Sequence, residues 1–88
     1  MRIRTDARTS VTSLDDGGLA ILSRSGRVFR ANVTAADMWG ALDAASGDPA
    51  VVAATTADRY GISPQQARAD LDGLVERLQN AGLAVIEP

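Results

Sequence analysis

Apolar and polar residues alternate over short runs in the first third of the chain and recur at helical spacing in the rest. Val11-Thr12-Ser13-Leu14 is a β-prone run, closed by Asp15-Asp16-Gly17-Gly18, a strong turn signal. Leu19 to Ser23 forms a second run. Arg24-Ser25-Gly26-Arg27 follows, with Gly26 able to take the positive φ that a tight hairpin needs. Arg27 to Ala31 reads as a third strand, with Val28 and Arg30 on one face and Phe29 and Ala31 on the other. Three antiparallel strands are stable on their own only if one face packs on something, and the helices that follow can supply it.

Thr34 is the expected N-cap of a first helix, with Asp37 three residues on as a variant of the capping box. The helix runs through Met38, Trp39 and Leu42 to a glycine stop at Ser46-Gly47. Asp48-Pro49 opens a second helix, with aspartate as cap and proline in the first turn; it ends at Tyr60-Gly61. Ser63-Pro64-Gln65-Gln66 opens a third, with Gln66 expected to close the box. Ala67, Leu71, Leu74, Val75 and Leu78 then recur at i, i+4, i+7, i+8 and i+11, an amphipathic stripe that ends at Asn80-Ala81-Gly82. Leu83 to Ile86 reads as a short strand or an extended tail, and residues 1–10 as a flexible segment or an additional strand. The fold class is therefore α+β, a three-stranded antiparallel sheet followed by three helices (β-β-β-α-α-α). The tight Gly61-Ile62 turn adds a winged helix-turn-helix character. No linker or repeat divides residues 1–88, so they read as a single domain.

Composition narrows what such a domain can do. Its 88 residues are 45% hydrophobic, which is globular rather than disordered, but a chain this short has little surplus core. Trp39, Tyr60 and Phe29 are the only aromatic residues, so the core is built from Leu, Val, Ile and Ala. Such a shallow core suits a module completed by a partner. Cysteine and histidine are absent, which removes disulfides, thiolate nucleophiles, imidazole bases and the usual ligands of zinc, copper and iron. No apolar run approaches the roughly 20 residues of a membrane helix, and Met1 to Asp6 is not followed by a secretory core. A cytoplasmic location is the default expectation, with no membrane partner. The net charge of −2 argues against nucleic acid, whose binding depends on a basic surface.

The remaining candidates for chemistry are weak. Asp15-Asp16 lies in a turn, where aspartate is favoured for backbone reasons, and Asp70 and Asp72 are two apart on a helix and do not face each other. The chain contains no lysine, and no serine has a visible base. Gly17-Gly18 fits neither a Walker nor a dinucleotide fingerprint. These observations point to a protein that is not an enzyme and needs no cofactor. Trp39 falls in an apolar stripe with Leu42 and reads as core. As a DNA-recognition helix, the third helix would present Gln65, Gln66, Arg68, Ala69 and Asp72, but Asp70, Asp72 and Glu76 would repel phosphate. The Arg27–Arg30 strand edge is either a charged guard against aggregation or a template for an added strand. The residues themselves leave both readings open.

The stretch from Leu22 through Gly26, Phe29, Asn32 and Thr34 to Trp39 resembles the PqqD-like family: a strand, a glycine turn, a strand, Asn-x-Thr, then a Trp-bearing helix. So do Tyr60-Gly61-Ile62-Ser63, Ala69 to Leu78, and Ala81-Gly82-Leu83. These pieces cover most of the chain after Ser10. The resemblance implies a RiPP recognition element, a domain that binds the leader of a ribosomally made precursor peptide as an antiparallel strand beside its third strand, against its third helix. Carried onto this chain, that implies peptide binding by Arg27, Val28, Phe29, Arg30 and Ala31, faced by Ala67, Arg68, Leu71, Asp72 and Val75. The stand-alone length and the Ala/Asp/Arg-rich third helix look most like the leader-binding proteins of lasso-peptide biosynthesis, which work beside a leader peptidase and a cyclase. Two alternatives stand beside this expectation: a PqqD-type chaperone serving a radical enzyme, and a winged-helix DNA-binding regulator.

Overall fold

Two hairpin turns set the register of the first sheet. At Leu14 the main-chain N–H donates to the Gly18 carbonyl (2.9 Å), and at Ser23 it donates to the Arg27 carbonyl (2.8 Å). The second turn needs Gly26 at φ +85°, a conformation that L-residues with side chains resist. In the computed structural model, which describes residues 1–88, the chain runs β1 (Arg2–Thr5), β2 (Ser10–Ser13), β3 (Leu19–Leu22), β4 (Val28–Ala31), α1 (Val33–Ala44), α2 (Pro49–Tyr60), α3 (Pro64–Asn80) and β5 (Ala84–Glu87). Strands β2, β3 and β4 form an antiparallel sheet in that order, with Leu19 opposite Ala31 and Leu22 opposite Val28. The strand expected third is thus β4.

The expected β-β-β-α-α-α order holds for the middle of the chain and is extended at both ends. β1 and β5 pair antiparallel as a separate two-stranded sheet, Arg2 opposite Glu87 and Thr5 opposite Ala84. Such a ribbon is marginal alone. Here Ile3 and Leu83 are buried in the core, and the Ile3 N–H donates to the Gly47 carbonyl at 2.9 Å. The pairing joins residues about eighty positions apart, which no local pattern specifies.

The helices begin and end close to the expected places, with two corrections. The cap of α1 is Asn32, not Thr34: its Oδ1 accepts from the Ala35 N–H at 2.9 Å. Asparagine is at least as good a cap as threonine, and starting there turns Ala35, Met38 and Leu42 inward. Asp37 accordingly leaves the cap and accepts a hydrogen bond from the Tyr60 hydroxyl, with Arg59 Nε at 3.4 Å, tying the start of α1 to the end of α2. At α3, Ser63 Oγ accepts from the Gln66 N–H (3.1 Å), but the Gln66 side chain turns forward to Asp70 Oδ1 (2.8 Å), so the box is only half closed. Asp48 caps α2 as expected, through Oδ1 and the Ala50 N–H.

The stripe Ala67, Leu71, Leu74, Val75 and Leu78 is buried throughout, with Ile21, Leu42, Val52 and Leu83 against it. Alanines 53, 57 and 67 let α2 and α3 approach closely. Trp39 is half-buried at the margin of the core, not inside it. No helix is long and apolar enough to cross a membrane.

Gly47 lies at φ +79°, and an added Cβ would run into the Ile3 carbonyl. Gly47→Ala is expected to destabilise the protein by about 1–3 kcal/mol, measured as a lower urea midpoint. The Asp37 carboxylate, as acceptor of its hydrogen bond, holds the Tyr60 phenol above its ordinary pKa. The bond exists only while the phenol is protonated. Its contribution to stability is therefore complete below the unfolded-state pKa and is lost as pH rises through the higher folded one. Ultraviolet titration of this single tyrosine should give a midpoint that falls in Asp37→Asn.

Candidate peptide-binding groove

β4 has a hydrogen-bonded neighbour on one side only. Antiparallel partners alternate between residues that exchange both main-chain bonds and residues that exchange none. The Ser23–Arg27 bond places Arg27, Phe29 and Ala31 in the bonded set, turned toward β3. The N–H and C=O of Val28 and Arg30 therefore face the open side. Val28 is 63% exposed, so its edge is uncovered.

Past the C-terminal end of that strand, a groove opens between the start of α1 and α3. A cavity of about 420 Å³ lies between Asn32, Thr34, Ala35 and Met38 on one side and Ala69, Asp70, Gly73 and Arg77 on the other. Asn32 is held by its capping bond, and Ala35 and Met38, buried by the packing of α1, lie beneath the floor. On α3, Ala69, Gly73 and Arg77 follow at four-residue spacing and form one exposed line, with Asp70 beside it. Nothing lies within 4 Å of where a Gly73 Cβ would be, so the wall is open at its centre. At the hairpin end the guanidinium carbon of Arg77 sits 5.8 Å from the centre of the half-buried Phe29 ring, a cation–π contact that joins α3 to β4.

The residues expected from sequence divide into three groups. Arg27 to Ala31 lie together on the open strand or its entry, with Phe29 and Ala31 inward and Val28 and Arg30 outward. Ala67, Leu71 and Val75 are buried in the core and do not line the cavity. Arg68 and Asp72 are paired with each other, Nε to Oδ1 at 3.0 Å, and stand about 100° around the helix from the Ala69–Gly73–Arg77 line, off the groove. The cavity is lined instead by Ala69, Asp70, Gly73 and Arg77 on α3, with Asn32, Thr34, Ala35 and Met38 opposite, none of them among the residues expected from sequence. One signal was available: Gly73 occupies a helix interior, where glycine is unfavourable, four residues after a small alanine.

The sequence profile of the family described as coenzyme PQQ synthesis protein D (PqqD) matches residues 5–84. The chain belongs to the PqqD family. Among solved structures, one described as lasso peptide synthetase B1 complexed with the leader peptide is similar to it at 30% identity. Their TM-score is 0.82, over 98% of this chain and all of that one (100%). A second, TbiB1 in complex with the TbiA(beta) leader peptide, shares the fold with a TM-score of 0.83 at 16% identity, over 97% of this chain and 98% of that one. No curated protein sequence matches. This PqqD-family chain therefore has the fold of two proteins that were each solved holding a leader peptide.

Because Gly73 needs neither an unusual φ nor the space a methyl would fill, Gly73→Ala should stabilise this PqqD-family protein by about 0.5–1 kcal/mol, seen as a raised denaturation midpoint.

Proposed function

We propose that this PqqD-family protein is a non-catalytic RiPP recognition element of the lasso-peptide type. It takes the leader of a precursor peptide as an added strand on β4 and presents it to a leader peptidase, with a cyclase acting downstream. The observation that carries this reading is the uncovered main chain of Val28 and Arg30 on β4, a strand that leads into the groove at Asn32, in a fold whose relatives hold leader peptides. An added strand gains main-chain hydrogen bonds that are independent of sequence, while side chains entering the groove supply selectivity. Alternate residues of the leader would stand over Ala35, Met38 and Gly73, where there is room for a bulky apolar group; the residues between them would lie beside Val28 and Arg30. The helix wall of this site is Ala69, Asp70, Gly73 and Arg77, in place of Ala67, Arg68, Leu71, Asp72 and Val75. The adaptor's effect on rate comes from concentrating the precursor at its enzyme.

The test uses fluorescent peptides from the N-terminal segment of any short open reading frame found beside this chain's gene. Val28→Pro removes an N–H that points outward, so β3–β4 pairing survives while one donor to the added strand is lost. Affinity should fall about fivefold or more, the equivalent of one net hydrogen bond of roughly 1 kcal/mol. Gly73→Phe, which fills the groove, should weaken binding further. Equal affinities for wild type and Val28→Pro, with circular dichroism unchanged, would overturn strand addition at β4.

A further inference from the structure

Charge is distributed unevenly along this chain. Residues 1–31 hold six arginines against three aspartates, whereas residues 32–88 hold three arginines against eight acids. Some of the arginines are neutralised locally: Arg4 approaches Glu87 (3.6 Å), Arg24 approaches Asp6 (4.0 Å), and Arg59 and Arg68 have their own aspartates. Arg27, Arg30 and Arg77 have no ion-pair partner; Arg27 stands at the hairpin end of β4, Arg30 further along the strand, and Arg77 reaches it over Phe29. Arg27 shares the side of the strand that carries Phe29, over which Arg77 also lies; Arg30 shares the opposite side with Val28. A strand laid on this edge would meet positive charge on both its faces. The one acid lining the groove, Asp70, is at the other end, beside Thr34, and already accepts a hydrogen bond from Gln66 at 2.8 Å.

We infer that the peptide taken by this edge is acidic where it passes the β3–β4 hairpin, with carboxylates at adjacent positions. Neighbouring residues of a strand point to opposite faces, so one carboxylate faces Arg27 and Arg77 and the next faces Arg30. This rests on the reading of β4 as a peptide site and adds the chemical class of its occupant. Carboxylates seated there would relieve the mutual repulsion of three unpaired guanidiniums, raise the association rate and select register. A peptide fits better than a nucleic acid, because Asp70, Asp72 and Glu76 on α3 would repel a continuous phosphate backbone.

The experiment is selection of random twelve-residue peptides displayed on phage against the wild-type protein, Arg27→Glu/Arg30→Glu and Val28→Pro, with folding checked by circular dichroism. Enriched peptides are synthesised and titrated in 50 and 500 mM salt, alongside a single-stranded DNA oligonucleotide. The wild type should enrich sequences with adjacent acidic residues, bound about tenfold more weakly by the charge-reversed protein, with binding weakened by salt. Neutral or basic sequences whose binding Val28→Pro abolishes would overturn the acidic inference and leave strand addition standing. Acidic sequences bound equally by Val28→Pro, or no enrichment at all, would overturn both. Oligonucleotide binding tighter than that of any selected peptide would overturn the choice of a peptide as occupant.

Discussion

Burial of the apolar stripe on α3 holds this small protein together. Leu71, Leu74, Val75 and Leu78 meet residues from every other layer: Ile3 of β1, Ile21 of β3, Met38 and Leu42 of α1, Val52 of α2 and Leu83 before β5. The domain is sensitive to cavities along this helix, where truncating a leucine opens a void in the core that both sheets share.

The same arrangement explains why one strand edge is left open. The terminal strands pair with each other, and β1 is further anchored to the loop at Gly47. They close the chain ends on each other, next to the β3–β4 hairpin where Asp6 meets Arg24, and leave the three-stranded sheet with its own two edges. An edge of this kind is a hazard unless it is blunted or used. Here β4 is short and is flanked by arginines. Like charge disfavours the pairing of such an edge with copies of itself and favours a partner of opposite sign. Guard and template, which the residues alone left as alternatives, are compatible properties of one edge.

Much of this was legible from local pattern. Turn chemistry located Gly26 and the Asp48-Pro49 and Ser63-Pro64 starts. Alternation assigned the two faces of β4 correctly, and helical periodicity found all five buried positions of α3. The cap of α1 was misplaced by two residues because Asn32 and Thr34 both suit the role, and only the packing of Ala35 and Met38 chooses between them. Residues 1–10 stayed open between a flexible segment and a strand because the four residues of β1 carry two arginines and its partner lies at the other end of the chain.

For the groove, the sequence by itself determined which faces of β4 and α3 would be buried, since these follow from periods of two and 3.6 residues acting locally. Only the tertiary structure decided which flank of α3 borders the strand. Both flanks are polar and exposed, and one carries Arg68 and Asp72 while the other carries Ala69, Asp70, Gly73 and Arg77. Periodicity is blind to the difference, because it marks the side that turns inward and says nothing about what lies to the left or right of it. That choice is made by how α3 crosses the sheet. The crossing in turn depends on the Gly61 turn, the alanine contact with α2 and the pairing of the two chain ends.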